Sequence, residues 1–260
     1  MFQRKILNNK KNCSLEKSQF LFGARGTGKT SLIKNQLGDE IFYIDLLNSR
    51  TFLNLSENPN LLEAMIIAQD KKIIVIDEIQ KIPLLLDEVH RILEQKNNFF
   101  KFLLTGSSAR KLKRNNANML GGRAGRLDLF PLTTSEIGVV DLEKFLLYGG
   151  LPRVYLSEQP QQELFDYIDN YLIEEIRIEA GLRNLPPFRR FLKSAALSNA
   201  QIINYSSFAI DVGVSVPTII EYFNILEDTL LGFRLEPWKL SKKRKSIESV
   251  RFYFFDLVVC

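Results

Sequence analysis

The first half of the chain sets short, unbroken apolar runs between stretches whose apolar residues recur at helical spacing. Gln19-Phe20-Leu21-Phe22, Glu40 to Leu46, Lys72 to Ile76 and Phe100 to Thr105 are the runs. Runs without alternation suit strands covered on both faces, and therefore a parallel sheet. Ser31 to Leu37, Leu61 to Ala68 and Pro83 to Leu93 carry the helical period, the last with a proline in its first turn. Leu127 to Phe130 reads as the last strand, and Pro131 to Glu136 turns the chain out of this α/β unit. The pattern then becomes helical. Asp141 to Tyr148 is a short helix stopped by Gly149-Gly150-Leu151-Pro152. Gln161 to Glu179 is a longer one with Leu164, Phe165, Ile168, Tyr171, Leu172 and Ile176 on its buried side, and Arg183 to Leu197 follows. The expected division is residues 1–136 and 137–260.

Asn204 to Phe223 has the layout of a helix-turn-helix. Ser206-Ser207 is the expected cap of the first helix, Gly213 the tight turn, and Ser215 the cap of the second, with Pro217 in its first turn. Phe208, Ala209, Val212, Val214, Ile219 and Phe223 would pack the pair. Phe233 to Trp238 and Arg251 to Phe255 read as a hairpin, so that about residues 200 to 256 are expected to form a winged helix.

Between the first strand and first helix lies Gly23-Ala24-Arg25-Gly26-Thr27-Gly28-Lys29-Thr30. It fits the phosphate-binding string G-x-x-x-x-G-K-[ST] in the strand–turn–helix context that string requires. Glycines let successive backbone N–H groups face phosphate, and the helix N-terminus adds a favourable dipole. The loop Gly23 to Thr30 and the following Ser31 are the expected nucleotide cradle. Lys29 would reach the β- and γ-phosphates, and the Thr30 hydroxyl would sit on Mg²⁺.

The third run ends in Asp77-Glu78. In open α/β sheets ligands bind at the carboxyl ends of strands, which puts these acids beside the phosphates. Asp77 is the expected second metal partner and Glu78 the group that polarises a water for in-line attack. The fourth run ends in Thr105-Gly106-Ser107-Ser108, where Thr105 or Ser107 would sense the γ-phosphate, Ser107 being preferred; turn-forming and capping are the alternative roles of these hydroxyls. Gly121-Gly122-Arg123-Ala124-Gly125-Arg126 reads as a mobile loop able to deliver a guanidinium to developing phosphate charge, or as a solvated basic loop. The single histidine, His90, lies inside a helix and reads as a surface or packing residue.

Composition changes this picture little. In 260 residues, 45% hydrophobic and 25% charged describe an ordinary globular chain with room for two cores. A net charge of +5 is compatible with nucleic acid or nucleotide partners. Lys239, Lys242, Lys243, Arg244 and Lys245 cluster at the wing tip, where phosphate contact and a solvated turn are equal readings. The second helix of the pair offers Ser215, Thr218 and Glu221, none of them a strong reader of base edges. Cys13 and Cys260 have no metal-like spacing and read as free thiols of a reducing compartment. With no signal-like N-terminus and no apolar run of about 18 residues, the expectation is a cytoplasmic chain without a membrane partner.

Five strings together resemble one family: Gly23 to Thr30, Ile76-Asp77-Glu78-Ile79-Gln80-Lys81-Ile82-Pro83, Leu104 to Arg110, Leu120-Gly121-Gly122-Arg123-Ala124, and Tyr148-Gly149-Gly150-Leu151-Pro152. They look like the prokaryotic AAA-type P-loop ATPases with a C-terminal domain of unknown function. The resemblance implies an AAA+ P-loop domain followed by a winged helix, an ATP and Mg²⁺ requirement, and the option of a homo-oligomer. It also favours Arg123 over Arg126 as the trigger. Similar chains continue past Phe254-Phe255-Asp256 into a Pro-Gly-Val-type turn and a nuclease-like domain. Here Leu257-Val258-Val259-Cys260 follows, which reads as a truncation, a frameshift or a fragment boundary and would leave Asp256 an orphan acid. Three readings result: an Mg²⁺-dependent ATPase, a nucleotide-controlled DNA-binding switch, or an inactive remnant.

Overall fold

The apolar runs assemble into one five-stranded parallel sheet in a computed structural model of the chain. The structure describes residues 4–6, 16–108, 110, 112, 120–181, 184–237 and 250–256. Cys13, Cys260, the basic Asn-rich residues at 111 and 113–118, the wing-tip cluster at 239–245, Trp238, the tail at 257–260 and the Tyr171 side chain lie outside the described residues.

The strands are β1 (Ser18–Phe22), β2 (Ile41–Asp45), β3 (Ile73–Asp77), β4 (Lys101–Gly106) and β5 (Ala124–Asp128), in the order β2-β3-β4-β1-β5. Helices α1 (Lys29–Leu37), α2 (Ser49–Glu57), α3 (Leu61–Ile67) and α4 (Leu85–Gln95) connect them. Side chains alternate along each strand, so the parallel register decides who shares a face. Tyr43 pairs with Val75, and Val75 with Leu103. Leu21, Val75 and Leu103 pack with Leu32, Ile33 and Leu37 of α1. The alternate residues Phe20, Phe22, Ile74, Ile76, Phe102 and Leu104 are buried on the other face. This covering of both sides is why the runs show no polar alternation. Two residues beyond Val75 and Leu103, Asp77 and Thr105 therefore fall on the α1 face at the carboxyl edge.

Two local expectations change. Helix α2 was not foreseen: it is nine residues long with Leu55 its only fully buried residue, and Asn48 starts it by accepting from the N–H groups of Arg50 and Thr51 at 3.0 and 3.1 Å. Strand β5 begins at Ala124 rather than Leu127, because Ser18 to Phe22 pair residue for residue with Ala124 to Asp128. Ala124, Gly125 and Arg126 therefore belong to an edge strand and not to a mobile loop. At Gly125 the Gln19 carboxamide lies where a Cβ would project, so a larger residue there would require that flexible side chain to move.

The chain divides into two units, Met1–Leu129 and Phe130–Cys260. In the second, a short helix α5 (Thr134–Ile137) carries a Thr133–Glu136 capping box, followed by α6 (Leu142–Tyr148), α7 (Pro152–Leu156) and α8 (Pro160–Asp166). A π-helical turn over Tyr167–Leu172 then runs into α9 (Ile173–Ala180). The wider π turn shifts the helical phase, which corrects the expected face: Phe165 is 55% exposed while Tyr167 is buried. Helix α10 (Leu185–Leu197) precedes α11 (Tyr205–Val212) and α12 (Val216–Asp228), which meet at a 100° bend, and β6 (Gly232–Leu235) pairs antiparallel with β7 (Arg251–Phe254). The cap of α11 is Asn204, not Ser206-Ser207; its side chain accepts from both serine N–H groups at 3.1 Å. Gly213 turns the chain at φ 72° and the Ser215 hydroxyl accepts from the Thr218 N–H at 3.4 Å. Asp256 is not an orphan, since it accepts from the Gly150 N–H at 2.9 Å. No single helix among the described residues is long and apolar enough to cross a membrane.

The core of the second unit is aromatic. Phe223 is 1% exposed, with its ring 4.9 Å from that of Phe191, 5.1 Å from Phe252 and 5.4 Å from Phe208. Phe223→Ala should cost about 3–5 kcal/mol, as large-to-small changes in a rigid core do. Urea unfolding followed by circular dichroism measures it, and a loss below about 1 kcal/mol would show that this cluster does not hold the unit.

Candidate nucleotide site

The candidate site lies where β1, β3 and β4 end side by side. After Phe22 the chain wraps tightly. Gly23 has no room for a Cβ, which would stand 2.6 Å from the Leu129 carbonyl oxygen and 2.8 Å from the Thr27 hydroxyl. Gly26 and Gly28 adopt φ of 83° and 90°, left-handed values that favour glycine. The Thr27 hydroxyl donates to the Ala24 carbonyl at 2.8 Å and closes the wrap. Helix α1 then begins at Lys29 with no side-chain cap, which leaves its first N–H groups to a ligand. Lys29 is 9% exposed, and its ammonium donates to the Gly23 carbonyl at 2.6 Å. Arg25, Gly26, Thr30 and Ser31 are exposed at the rim, whereas Ala24 and Thr27 are buried.

Asp77 is 4% exposed at the end of β3. One carboxylate oxygen accepts from the hydroxyls of Tyr43 and Thr30, the latter at 3.4 Å, and the other accepts from Thr105. Thr105 is fully buried, and it also accepts the Glu78 N–H at 3.1 Å. Of the two hydroxyls expected from sequence as phosphate sensors, Thr105, the less preferred, is thus turned towards Asp77. Glu78 sits at φ 62°, a left-handed conformation costing a non-glycine residue about 1–2 kcal/mol. Its carboxylate accepts from the Gln80 side chain, which also donates to the Ser107 hydroxyl at 3.3 Å. Strain held by surrounding hydrogen bonds is a property of sites that must aim a side chain.

Sequence reasoning missed two members. Tyr43 comes from β2, where it shares the α1 face with Asp77 through the Asp45–Asp77 register. Burial, and then the Asp77 carboxylate, hold its phenol well above the ordinary value, so it stays a donor. Gln80 is 5% exposed, and its carbonyl oxygen has no partner among the described residues. Arg123 is not joined to this group: it pairs with Glu94 at 2.9 Å and with His90 at 3.0 Å, both on α4. Arg126 pairs with Asp128 at 2.8 Å. The second-helix residues Ser215 and Thr218 bond to each other at 2.8 Å, and Asn224 donates to Glu221 at 3.3 Å.

The donor set suits Mg²⁺. A hydroxyl and a carboxylate, both hard oxygen donors within 3.4 Å, are what that ion takes from a protein when phosphate and water fill the rest.

Residues 16–138 match an AAA domain. Residues 139–259 match a domain of unknown function (DUF8612). The region that matches the AAA domain is an α/β P-loop core with a five-stranded parallel sheet, followed by a helical region. An uncharacterized protein of Methanocaldococcus jannaschii is 23% identical over 92% of this chain and 60% of its own length. Uncharacterized proteins of Haemophilus influenzae and Mycobacterium tuberculosis are 24% and 25% identical over 75% and 71% of this chain. The chain spans about half the length of these curated relatives, from 42% to 60%. Among solved structures, the replication initiator DnaA bound to AMPPCP and single-stranded DNA is 13% identical, with a TM-score of 0.41 over 86% of this chain and 85% of that one. A DNA replication initiation factor is 16% identical, with a TM-score of 0.36 over 82% and 69%.

Proposed function

We propose that the AAA domain binds ATP with Mg²⁺ and hydrolyses its terminal phosphoanhydride bond. The observation that carries this reading is the meeting, at one sheet edge, of a glycine-wrapped ammonium with a buried carboxylate and a strained, hydrogen-bonded glutamate. On binding, Lys29 exchanges the Gly23 carbonyl for β- and γ-phosphate oxygens, while the uncapped amides of α1 and the loop hold the rest of the tail. Thr30 and Asp77 would hold Mg²⁺, which when bound would supply positive charge against the phosphates. Glu78 accepts a proton from the attacking water as the new P–O bond forms and the bond to the β-phosphate oxygen breaks, releasing ADP and phosphate. Ser107, tied to Glu78 through Gln80, is the hydroxyl positioned to report the γ-phosphate. Arg123 assists only by leaving Glu94 and His90 for developing charge.

Phosphate release from ATP and from GTP, followed across protein concentrations, tests the reading. It predicts magnesium-dependent turnover with ATP preferred, in the ordinary range of about 1 s⁻¹ or below for a P-loop hydrolase without a partner's arginine. Release at the uncatalysed rate with both nucleotides would overturn it.

A further inference from the structure

The proposed metal acid has a third hydroxyl neighbour that no motif announces. We propose that Tyr43 is a positioning residue for the magnesium site, fixing the Asp77 carboxylate so that one oxygen faces Thr30 and the incoming ion. The inference rests on the nucleotide-site reading above and goes beyond it in naming what aims the carboxylate.

Three observations support it. Tyr43 and Thr30 address the same oxygen of Asp77, whereas Thr105 takes the other, so the carboxylate is pinned on both sides and cannot rotate about its own axis without breaking a bond. The strand register places Tyr43 on the face that carries Asp77, and the ring is packed with the α1-side core, which leaves the phenol little rotamer freedom. The Lys34 ammonium lies 5.8 Å from the ring centroid, on the helix that also presents Thr30, so one helix braces the tyrosine and supplies the hydroxyl partner. Core packing by itself requires only the ring; the hydroxyl is the part aimed at Asp77. Groups that orient a ligating carboxylate are typically worth about 10–100-fold in metal affinity.

The test is Tyr43→Phe in the full chain, which keeps the ring and removes only the hydroxyl. Binding of a fluorescent N-methylanthraniloyl ATP is measured in EDTA and across a magnesium chloride titration, with thermal melting as the fold control. The expected result is unchanged nucleotide affinity in EDTA and a half-saturating magnesium concentration raised about 10-fold. A purely structural role would weaken both arms equally and lower the melting temperature. An unchanged or lower half-saturating magnesium concentration would overturn the assignment while leaving nucleotide binding intact. Failure of the unsubstituted chain to bind the nucleotide in either arm would instead overturn the nucleotide-site reading and this inference with it. Should Tyr43→Phe melt early, ultraviolet difference spectra of the unsubstituted chain decide: magnesium and nucleotide together should perturb buried tyrosine absorbance, and no perturbation would count against Tyr43.

Discussion

Glu78→Gln should abolish turnover, by at least about 100-fold, and leave nucleotide affinity within about threefold of the unsubstituted chain. The substitution keeps the shape of the side chain and removes its capacity to take a proton from water. It also leaves the surroundings in place. The backbone N–H of residue 78 still donates to Thr105, and a carboxamide oxygen still accepts from Gln80. The left-handed backbone at this position, φ 62°, is therefore kept by the same bonds. Phosphate release and fluorescent-nucleotide binding, measured on one preparation, separate the two effects. Turnover within threefold of the unsubstituted chain would remove Glu78 as the base; loss of binding would make it a structural residue.

Lys29→Ala has the larger effect on binding. The ammonium is buried and bonded to the Gly23 carbonyl at 2.6 Å, so it is held over the loop before any ligand arrives. Its charge-assisted bonds to phosphate are worth about 1.5–3 kcal/mol each. Losing even two lowers affinity at least about 100-fold. The fold should survive, because the loop is closed independently by the Thr27–Ala24 bond and by Leu32 N–H donation to the Gly28 carbonyl at 2.9 Å. A cooperative melt close to that of the unsubstituted chain is the control.

Much of the sheet was legible in the sequence because a strand buried on both faces leaves an unbroken apolar run. That same property hid part of the site. Without alternation the run around Tyr43 does not disclose which residues face α1, and the sequence gives the tyrosine no role beyond membership of a strand. Only the parallel register, Asp45 opposite Asp77, brings it to the acid. Gln80 was hidden for another reason: its role comes from a single turn after Glu78 that folds it back onto the glutamate and Ser107. Glycine-rich strings carry their own ambiguity. Gly23, Gly26 and Gly28 form a loop as their spacing indicates, whereas Gly125, in an equally glycine-rich stretch, is a strand residue paired with Gln19. The arginine beside it, Arg123, is engaged by α4, a partnership between distant segments that no local pattern could reveal.

The second unit repeats the lesson in helices. Period alone located α8 to α9, yet the π turn at Tyr167–Leu172 moved the buried stripe from Phe165 to Tyr167. A one-residue insertion in helical phase leaves no trace in a pattern of apolar residues.

Isothermal titration of ATP with magnesium into the unsubstituted chain and into Lys29→Ala asks most directly whether this loop grips a triphosphate. Saturable heat at one nucleotide per chain, absent from the lysine variant, is the predicted result. No saturable heat from an unsubstituted chain that melts cooperatively, or equal heat from both proteins, would contradict it.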